Sequence, residues 1–159
     1  MLSLPRVYVS SKVRHASMWK DYRDSSRYDI ISSWIDRPTS DIDPDVFSSM
    51  WSDFIDECAD CDYLILYKAA DDTLLKGAIV EFGAALAGGA EVFLVGQSGG
   101  ITELGTAIYH PRVSTFSSLE SAFDHLVSKH DRNFFSSDHC RECGYRWWGD
   151  FDCRCLDDN

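Results

Sequence analysis

The chain has 159 residues and a formal net charge of -11, from 15 lysines and arginines against 26 aspartates and glutamates. This length fits one domain with room for a small appendage. So negative a chain is poorly suited to binding a nucleic-acid backbone, which requires clustered cations, and a small molecule is the more natural partner. No apolar run approaches a membrane span and the first residues are too short for a signal peptide, so the sequence predicts a cytoplasmic protein without membrane contact.

The first predicted strand, Arg6–Ser10, leads into a polar loop at residues 10–15. The loop contains two serines, a lysine and an arginine ahead of a helix predicted over residues 16–27. The N–H groups at the start of a helix attract anions, so this segment is either a phosphate-binding loop or an ordinary polar turn. A second strand is predicted over residues 28–35, where apolar residues continue.

The middle of the chain predicts a helix followed by a βαβ unit. Asp43-Pro44-Asp45 is typical of a helix start, and the apolar side chains of that helix are Phe47, Met50, Trp51, Phe54 and Ile55. Residues 62–67 and 91–95 are short apolar runs, as expected of buried parallel strands. Residues 76–89 then form the crossover helix between them.

The crossover helix carries one carboxylate, Glu81, among small and apolar residues. Asp72-Thr73 is its predicted N-cap and Gly88-Gly89 its C-terminal stop. The spacing of Ile79, Phe82 and Leu86 predicts that these three face the core. Glu81 would then lie near the carboxyl end of the preceding strand, where open α/β sheets bind ligands. The alternative is a solvated helical glutamate.

The remaining elements complete an α/β pattern. A glycine-rich loop is predicted over residues 97–106, a turn at His110-Pro111 and a fifth strand over residues 113–116. Residues 117–120 resemble a capping box that opens a last helix reaching residue 129. Five strands alternating with helices predict a flavodoxin-like, doubly wound, five-stranded parallel sheet that occupies residues 1–130.

The tail, residues 131–159, loses the apolar periodicity and gains four cysteines. Cys-x-x-Cys-Gly followed by Cys-x-Cys is typical of a small zinc knuckle, with the ligands Cys140, Cys143, Cys153 and Cys155. Disulfides or free thiols are the alternatives, and His139 could replace one cysteine. Four protein ligands leave no open position, so the zinc would be structural. No organic cofactor is expected.

Two further patterns do not predict chemistry. The Cys58-x-x-Cys61 pair lacks the context of a redox motif and is interpreted as packing cysteines. Residues 96–100 match the G-x-S-x-G nucleophile elbow, but the paired glycines after the serine favour a loop over a helix start. No dinucleotide-binding glycine fingerprint follows the first strand.

Residues 75–87, Leu-Lys-Gly-Ala-Ile-Val-Glu-Phe-Gly-Ala-Ala-Leu-Ala, resemble the nucleoside 2-deoxyribosyltransferase family, whose nucleophile lies in a Gly-x-x-x-Glu-x-Gly-x-Ala helix. Val7-Tyr8-Val9 is similar to the family's first strand, and residues 59–66 are similar to the segment leading into its third strand. The resemblance covers about residues 5–128 and excludes the cysteine-rich tail.

This resemblance implies a set of site residues. Glu81 would be the nucleophile and Tyr8 would orient it. The family includes nucleotide N-glycosidases that hold a 5′-phosphate in the loop after strand one, and the matching positions here are Ser10, Ser11, Lys12 and Arg14. Further substrate contacts are expected from Trp34, Asp36, Lys76 and Gly77. The family's acid aligns with Phe54, which makes the adjacent Asp53 the candidate proton donor.

Three functions are compatible with this sequence. The first is cleavage or transfer at the N-glycosidic bond of a (deoxy)nucleoside or nucleoside 5′-monophosphate, because a carboxylate stabilises the positive charge that develops at C1′. The second is a catalytically inactive nucleotide-binding module, and the third is a TIR-like NAD glycohydrolase. The resemblance also implies a homo-oligomer, in which a neighbouring subunit completes each active site.

Overall fold

The computed structural model describes residues 4–37, 40, 42–96 and 102–135. Its centre is a parallel five-stranded sheet in which the strands lie in the order β2-β1-β3-β4-β5. The strands are β1 (Arg6–Ser10), β2 (Asp29–Ile30), β3 (Tyr63–Lys68), β4 (Glu91–Gly96) and β5 (Val113–Phe116). This order is the predicted flavodoxin-like one, and it places the topological switch point between β1 and β3.

Helices cover both faces of the sheet. They are α1 (Ala16–Arg23), α2 (Pro44–Ala59), α3 (Lys76–Gly88) and α4 (Leu119–Phe135). Helices α2 and α3 pack side by side on one face, and α1 and α4 lie on the other. On the second face Tyr22 of α1 stacks on Phe123 of α4, with ring centroids 5.0 Å apart. The core between the layers includes Val7, Val9, Leu64, Ile65 and Leu126, all fully buried.

The predicted second strand is mostly absent, because a side chain replaces its backbone hydrogen bonds. Only Asp29–Ile30 pairs with β1. Beyond this point the Ser32 hydroxyl accepts the Val9 N–H at 2.6 Å, and a 3-10 helix, Ser33–Asp36, follows. The first helix is likewise shorter than predicted and ends at Arg23, since the Ser25 side chain accepts a later backbone N–H in a turn.

Helix α3 has its predicted start and C-terminus, but its N-cap residue differs and one of its three predicted core residues is exposed. Gly89 adopts a φ of +98°, the left-handed conformation that favours glycine at a C-cap. The predicted cap Asp72 does not cap the helix, because its carboxylate is bound elsewhere. Ile79 is exposed rather than buried, and the buried residues are Ala78, Glu81, Phe82 and Ala85.

The C-terminal third departs from the prediction in its helices. Residues 102–109 form two short 3-10 segments divided by a kink at Gly105, and residues 97–101 of the predicted loop lie outside the described residues. Helix α4 continues to Phe135, and its first turn is capped by Ser118, whose hydroxyl accepts the Ser121 N–H at 3.1 Å. The predicted zinc ligands Cys140, Cys143, Cys153 and Cys155 lie outside the described residues. Within the described ranges no helix is long and apolar enough to cross a membrane.

Candidate active site

Glu81 is a buried carboxylate held by two hydroxyl groups of β1. The Tyr8 hydroxyl donates to Oε1 at 2.9 Å, and the Ser10 hydroxyl donates to Oε2. Alternate residues of a strand share one face, so Tyr8 and Ser10 point together toward α3. Only 7% of Glu81 is exposed. Both carboxylate oxygens are therefore oriented by groups on the rigid centre of the sheet.

The protonation of Glu81 is set by opposing effects. Burial raises the pKa of the Glu81 carboxyl above its ordinary value, and the nearby charge of Glu57 raises it further. The hydrogen bonds from Ser10 and Tyr8 favour the carboxylate and lower this pKa, but they do not cancel the effect of burial. Burial and the adjacent Glu81 also raise the pKa of Tyr8, so the phenol remains a hydrogen-bond donor.

A cavity of about 710 Å³ opens beside Glu81, between α2, α3 and the loops that follow β1 and β3. It lies at the carboxyl ends of adjacent strands at the switch point, the usual place for a ligand in this fold. Its volume is in the range of small-molecule sites. The lining includes Ser11, Lys12, Trp34, Trp51, Lys76, Gly77 and Glu81, together with Val13, Arg37, Ile42, Phe47, Met50, Phe54, Thr73, Leu74, Leu75 and Ala78.

Aromatic side chains form much of the cavity wall. The Trp34 indole donates to the Val9 carbonyl at 2.7 Å, which fixes one wall to β1. Trp51 packs edge-on against Phe54 with ring centroids 5.8 Å apart. A Cβ atom at Gly77 would lie 3.1 Å from Trp51 Cη2, so the glycine lets this ring approach α3. Such a wall suits a planar, aromatic ligand.

Cations outnumber carboxylates among the described residues of the lining. These cations are Lys12, Arg37 and Lys76, and Glu81 is the single described carboxylate there. The first residues of α3 also line the cavity, and no side chain caps this helix at its N-cap residue, Leu75. The N–H groups of an uncapped first turn attract anions. The cavity is therefore locally positive within a strongly negative chain.

The structure brings some of the predicted site residues together. Glu81, Tyr8 and Ser10 form one hydrogen-bonded group, while Ser11, Lys12, Trp34, Lys76 and Gly77 line the cavity beside it. Ser10 was predicted to contact phosphate, but its hydroxyl is occupied by Glu81. Ser11 instead accepts the Trp19 indole N–H at 2.8 Å.

Three predicted residues lie apart from this group. Asp53 is paired with Arg37 at 3.0 Å, and Asp36 is paired with Arg23 and Lys20; neither aspartate is among the lining residues. Arg14 is also absent from the lining. Its guanidinium contacts Asp71 and Asp72 instead, at 2.6 and 2.7 Å.

Sequence reasoning identified the apolar side chains of α2 but did not predict that some of them line the cavity. Phe47, Trp51 and Phe54 lie on the apolar face of that helix, but part of this face meets the cavity rather than the sheet. The two packing cysteines are buried free thiols as predicted, and burial raises the pKa of Cys61 to about 12. Cys58 lies against the Tyr8 hydroxyl, a contact that no local pattern indicated.

Comparison with known proteins gives matches among solved structures. No family model matches the chain, and no curated protein matches it. Among solved structures, the chain is similar to the CMP N-glycosidase BcmB of Clostridium botulinum, with 15% sequence identity and a TM-score of 0.49. The similarity covers 78% of this chain and 98% of that one. Both values are low, so the function has to be argued from the residues of the site.

Proposed function

We propose that this protein cleaves or transfers at the N-glycosidic bond of a (deoxy)nucleoside or nucleoside 5′-monophosphate, with Glu81 as the nucleophile. The observation that carries the proposal is the buried Glu81 carboxylate, oriented by Tyr8 and Ser10 at the edge of an aromatic-lined cavity. A carboxylate so placed is suited to the positive charge that develops at C1′ when the bond breaks. The resemblance of the α3 sequence to the deoxyribosyltransferase nucleophile helix supports the same role.

The reaction would proceed in two displacements. An oxygen of Glu81 bonds to C1′ while the C1′–N bond breaks, and the bonding electrons leave with the base, which takes up a proton. A water molecule, or a second base in a transfer reaction, then attacks C1′, gives up one proton and frees the Glu81 carboxylate, so the proton released here balances the one taken up by the leaving base. Asp53, the predicted proton donor, is paired with Arg37 at 3.0 Å and is not among the lining residues, so we do not assign the proton transfer to it here.

A phosphate would bind at the positive end of the cavity. Lys12 and Lys76 both line it, and the uncapped first turn of α3 adds N–H groups beside them. Charge-assisted hydrogen bonds to phosphate are among the stronger polar contacts. We therefore propose a nucleoside 5′-monophosphate as the substrate class, with Lys12 rather than Arg14 as the contact from the loop after β1.

The test is incubation with matched deoxynucleosides, ribonucleosides, their 5′-monophosphates and NAD, with chromatography to detect free base. We expect base release from one or more monophosphates and its loss, by at least about a hundredfold, in Glu81→Gln, because the lost group acts in the transition state. Asp53→Asn is the matched control and should retain activity. Unchanged turnover in Glu81→Gln would exclude the nucleophile. Binding without turnover in the wild type would indicate an inactive module, and release from NAD alone would indicate an NAD glycohydrolase.

The same panel tests the phosphate position. Lys12→Met should weaken the binding of a 5′-monophosphate by about tenfold or more, since a charge-assisted hydrogen bond contributes about 1.5–3 kcal/mol. The binding of the parent nucleoside should weaken much less. An equal loss of affinity for both ligands would show that Lys12 only shapes the cavity.

We further propose that the tail binds one structural zinc ion through Cys140, Cys143, Cys153 and Cys155. Four thiolates in two closely spaced pairs are the preferred donor set of structural zinc. Among the described residues, no group of three or more acidic, histidine or cysteine side chains is placed to hold a metal ion. Elemental analysis of protein purified without chelators should give one zinc per chain. A metal-free protein would contradict the proposal.

We also propose that the protein is a homo-oligomer that uses the outer face of α3. Val80 on this face is 53% exposed, and Ile79 and Gly83 are exposed beside it. Two further exposed apolar side chains, Leu74 and Phe47, line the cavity. A second subunit there would cover apolar surface and close the cavity from the side.

A further inference from the structure

A cluster of four titratable side chains joins the two loops that flank the cavity. Arg14 and His15 follow β1, while Asp71 and Asp72 follow β3. Arg14 Nε donates to Asp72 Oδ1 at 2.8 Å, and its two terminal nitrogens donate to the oxygens of Asp71 at 2.9 and 2.6 Å. His15 Nε2 lies 2.9 Å from Asp72 Oδ2. The loops are therefore connected by a network rather than by a single ion pair.

Asp72 is the centre of this network. Its side chain is fully buried, whereas that of Asp71 is 74% exposed. Besides Arg14 and His15, it binds the backbone N–H of Ala69 at 2.8 Å. A buried carboxylate is costly unless several donors satisfy it. Because the donors come from both loops, the Asp72 carboxylate is satisfied only when the loops keep this relative position.

The residues next to the cluster belong to the lining of the cavity. Ser11, Lys12 and Val13 immediately precede Arg14, and Thr73, Leu74 and Leu75 immediately follow Asp72; all six line the cavity. The Lys12 ammonium also donates to the Leu74 carbonyl across the gap. Asp72 itself is not among the lining residues. It therefore influences the separation of Lys12 from the start of α3 without meeting a ligand.

We propose that Asp72 is a positioning residue, which holds the two loops at the spacing that binds an anionic ligand. Glu81 does not depend on these contacts, since it is oriented by Tyr8 and Ser10 of the sheet. Loss of the Asp72 charge should therefore reduce ligand affinity far more than the rate of bond cleavage. The kinetic part of this inference depends on the proposed function, whereas the coupling of the two loops does not.

The experiment compares Asp72→Asn with Asp71→Asn. Both variants remove one carboxylate that contacts Arg14, but only the first changes the buried centre. We expect Asp72→Asn to raise KM for a cleaved nucleoside 5′-monophosphate by about tenfold or more while kcat changes less than about threefold. Asp71→Asn should change KM by less than about threefold. Hydrogen exchange of the ligand-free proteins should increase in both residues 11–15 and residues 69–75 of Asp72→Asn alone.

Several outcomes would overturn the inference. These are a fall in kcat with an unchanged KM, faster exchange confined to residues 69–75, or equal effects of the two variants. If Asp72→Asn does not fold, Arg14→Gln and His15→Gln, each of which removes one donor, must give the same KM effect and the same paired exchange. If the wild type cleaves no nucleotide, the proposed function fails, and the exchange experiment still decides whether Asp72 couples the loops.

Discussion

At the scale of a single residue, Glu81 combines two requirements that oppose each other. A nucleophile must be ionised, yet burial of Glu81 in an apolar helix favours its neutral form and raises its pKa. Hydrogen bonds from Ser10 and Tyr8 offset part of the free energy that is lost when the ionised carboxylate is removed from water. The arrangement leaves a carboxylate whose charge is weakly solvated, and such a group gains most from a positive centre at C1′.

This conflict predicts how stability depends on pH. The folded-state pKa of Glu81 lies above its ordinary value of 4.5, so its contribution to stability is fully present below that value and is lost as the pH rises through the raised pKa. Glu81→Gln remains neutral at every pH. We therefore expect it to unfold at a higher temperature than the wild type at neutral pH, with a difference that shrinks toward pH 4.5.

Thermal unfolding of both proteins across this range is the measurement. Glu120→Gln, which changes an exposed carboxylate on α4, should follow the wild type at each pH. A Glu81→Gln variant that is less stable than the wild type at neutral pH would show that the two hydroxyl contacts outweigh burial.

A site residue could be predicted from the sequence when the evidence for its role lies in the residues next to it. Glu81 was identifiable because a carboxylate in a run of small and apolar residues is unusual within one helix. The cations of the loop after β1 were also visible, but the partners of Arg14 lie 57 and 58 residues further along the chain. Composition cannot distinguish a cation free for phosphate from one that is already paired.

At the scale of elements, the packing of α2 against α3 controls the shape of the cavity. Both helices contribute lining residues, and their backbones approach closely at the C-terminus of α3. There a Cβ atom at Gly88 would lie 2.2 Å from the backbone oxygen of Ala59. A side chain at this position would therefore have to displace backbone rather than a flexible side chain.

Two alanine substitutions in α3 should consequently have opposite effects. Gly88→Ala should destabilise the protein by about 1–3 kcal/mol, because the added methyl forces α2 and α3 apart. Gly83→Ala should stabilise it by about 0.5–1 kcal/mol, since a Cβ there meets nothing within 4 Å and alanine favours the helix. Urea unfolding, at a concentration where all proteins share one assembly state, measures both. An unchanged free energy of unfolding in Gly88→Ala would show that α2 and α3 can move apart without loss of stability.

The strand bounds predicted from the sequence were accurate where burial alone determines the strand. The predicted bounds of β1 and β5 match the structure, and β3 and β4 are each shifted or extended by one residue. The second strand was wrong because its apolar pattern could not reveal that the Ser32 hydroxyl replaces the backbone of β2. A hydrogen bond in which a side chain takes the place of the backbone depends on tertiary structure, and local periodicity does not indicate it.

At the scale of the whole molecule, association between subunits depends more on where the exposed apolar surface lies than on how much of it there is. The exposed apolar residues Ile79 and Val80 lie on α3, beside the exposed and unobstructed Gly83. Single exposed apolar residues are ordinary, but a group on one helix beside a ligand cavity is typical of an interface. Because the chain carries a net charge of -11, subunits would associate only where a surface poor in charge outweighs their mutual repulsion.

Val80→Glu should therefore separate the subunits. A glutamate on this face would have to lose its hydration on association, which costs several kcal/mol for an unpaired ion. The folded monomer should persist, because the Val80 side chain contributes little to the core. Tyr109→Glu is the matched control, since it adds the same charge at an exposed aromatic residue outside α3. Sedimentation equilibrium should find the wild type and Tyr109→Glu assembled and Val80→Glu monomeric. A monomeric wild type, or a Val80→Glu variant that stays assembled, would exclude this face as the interface.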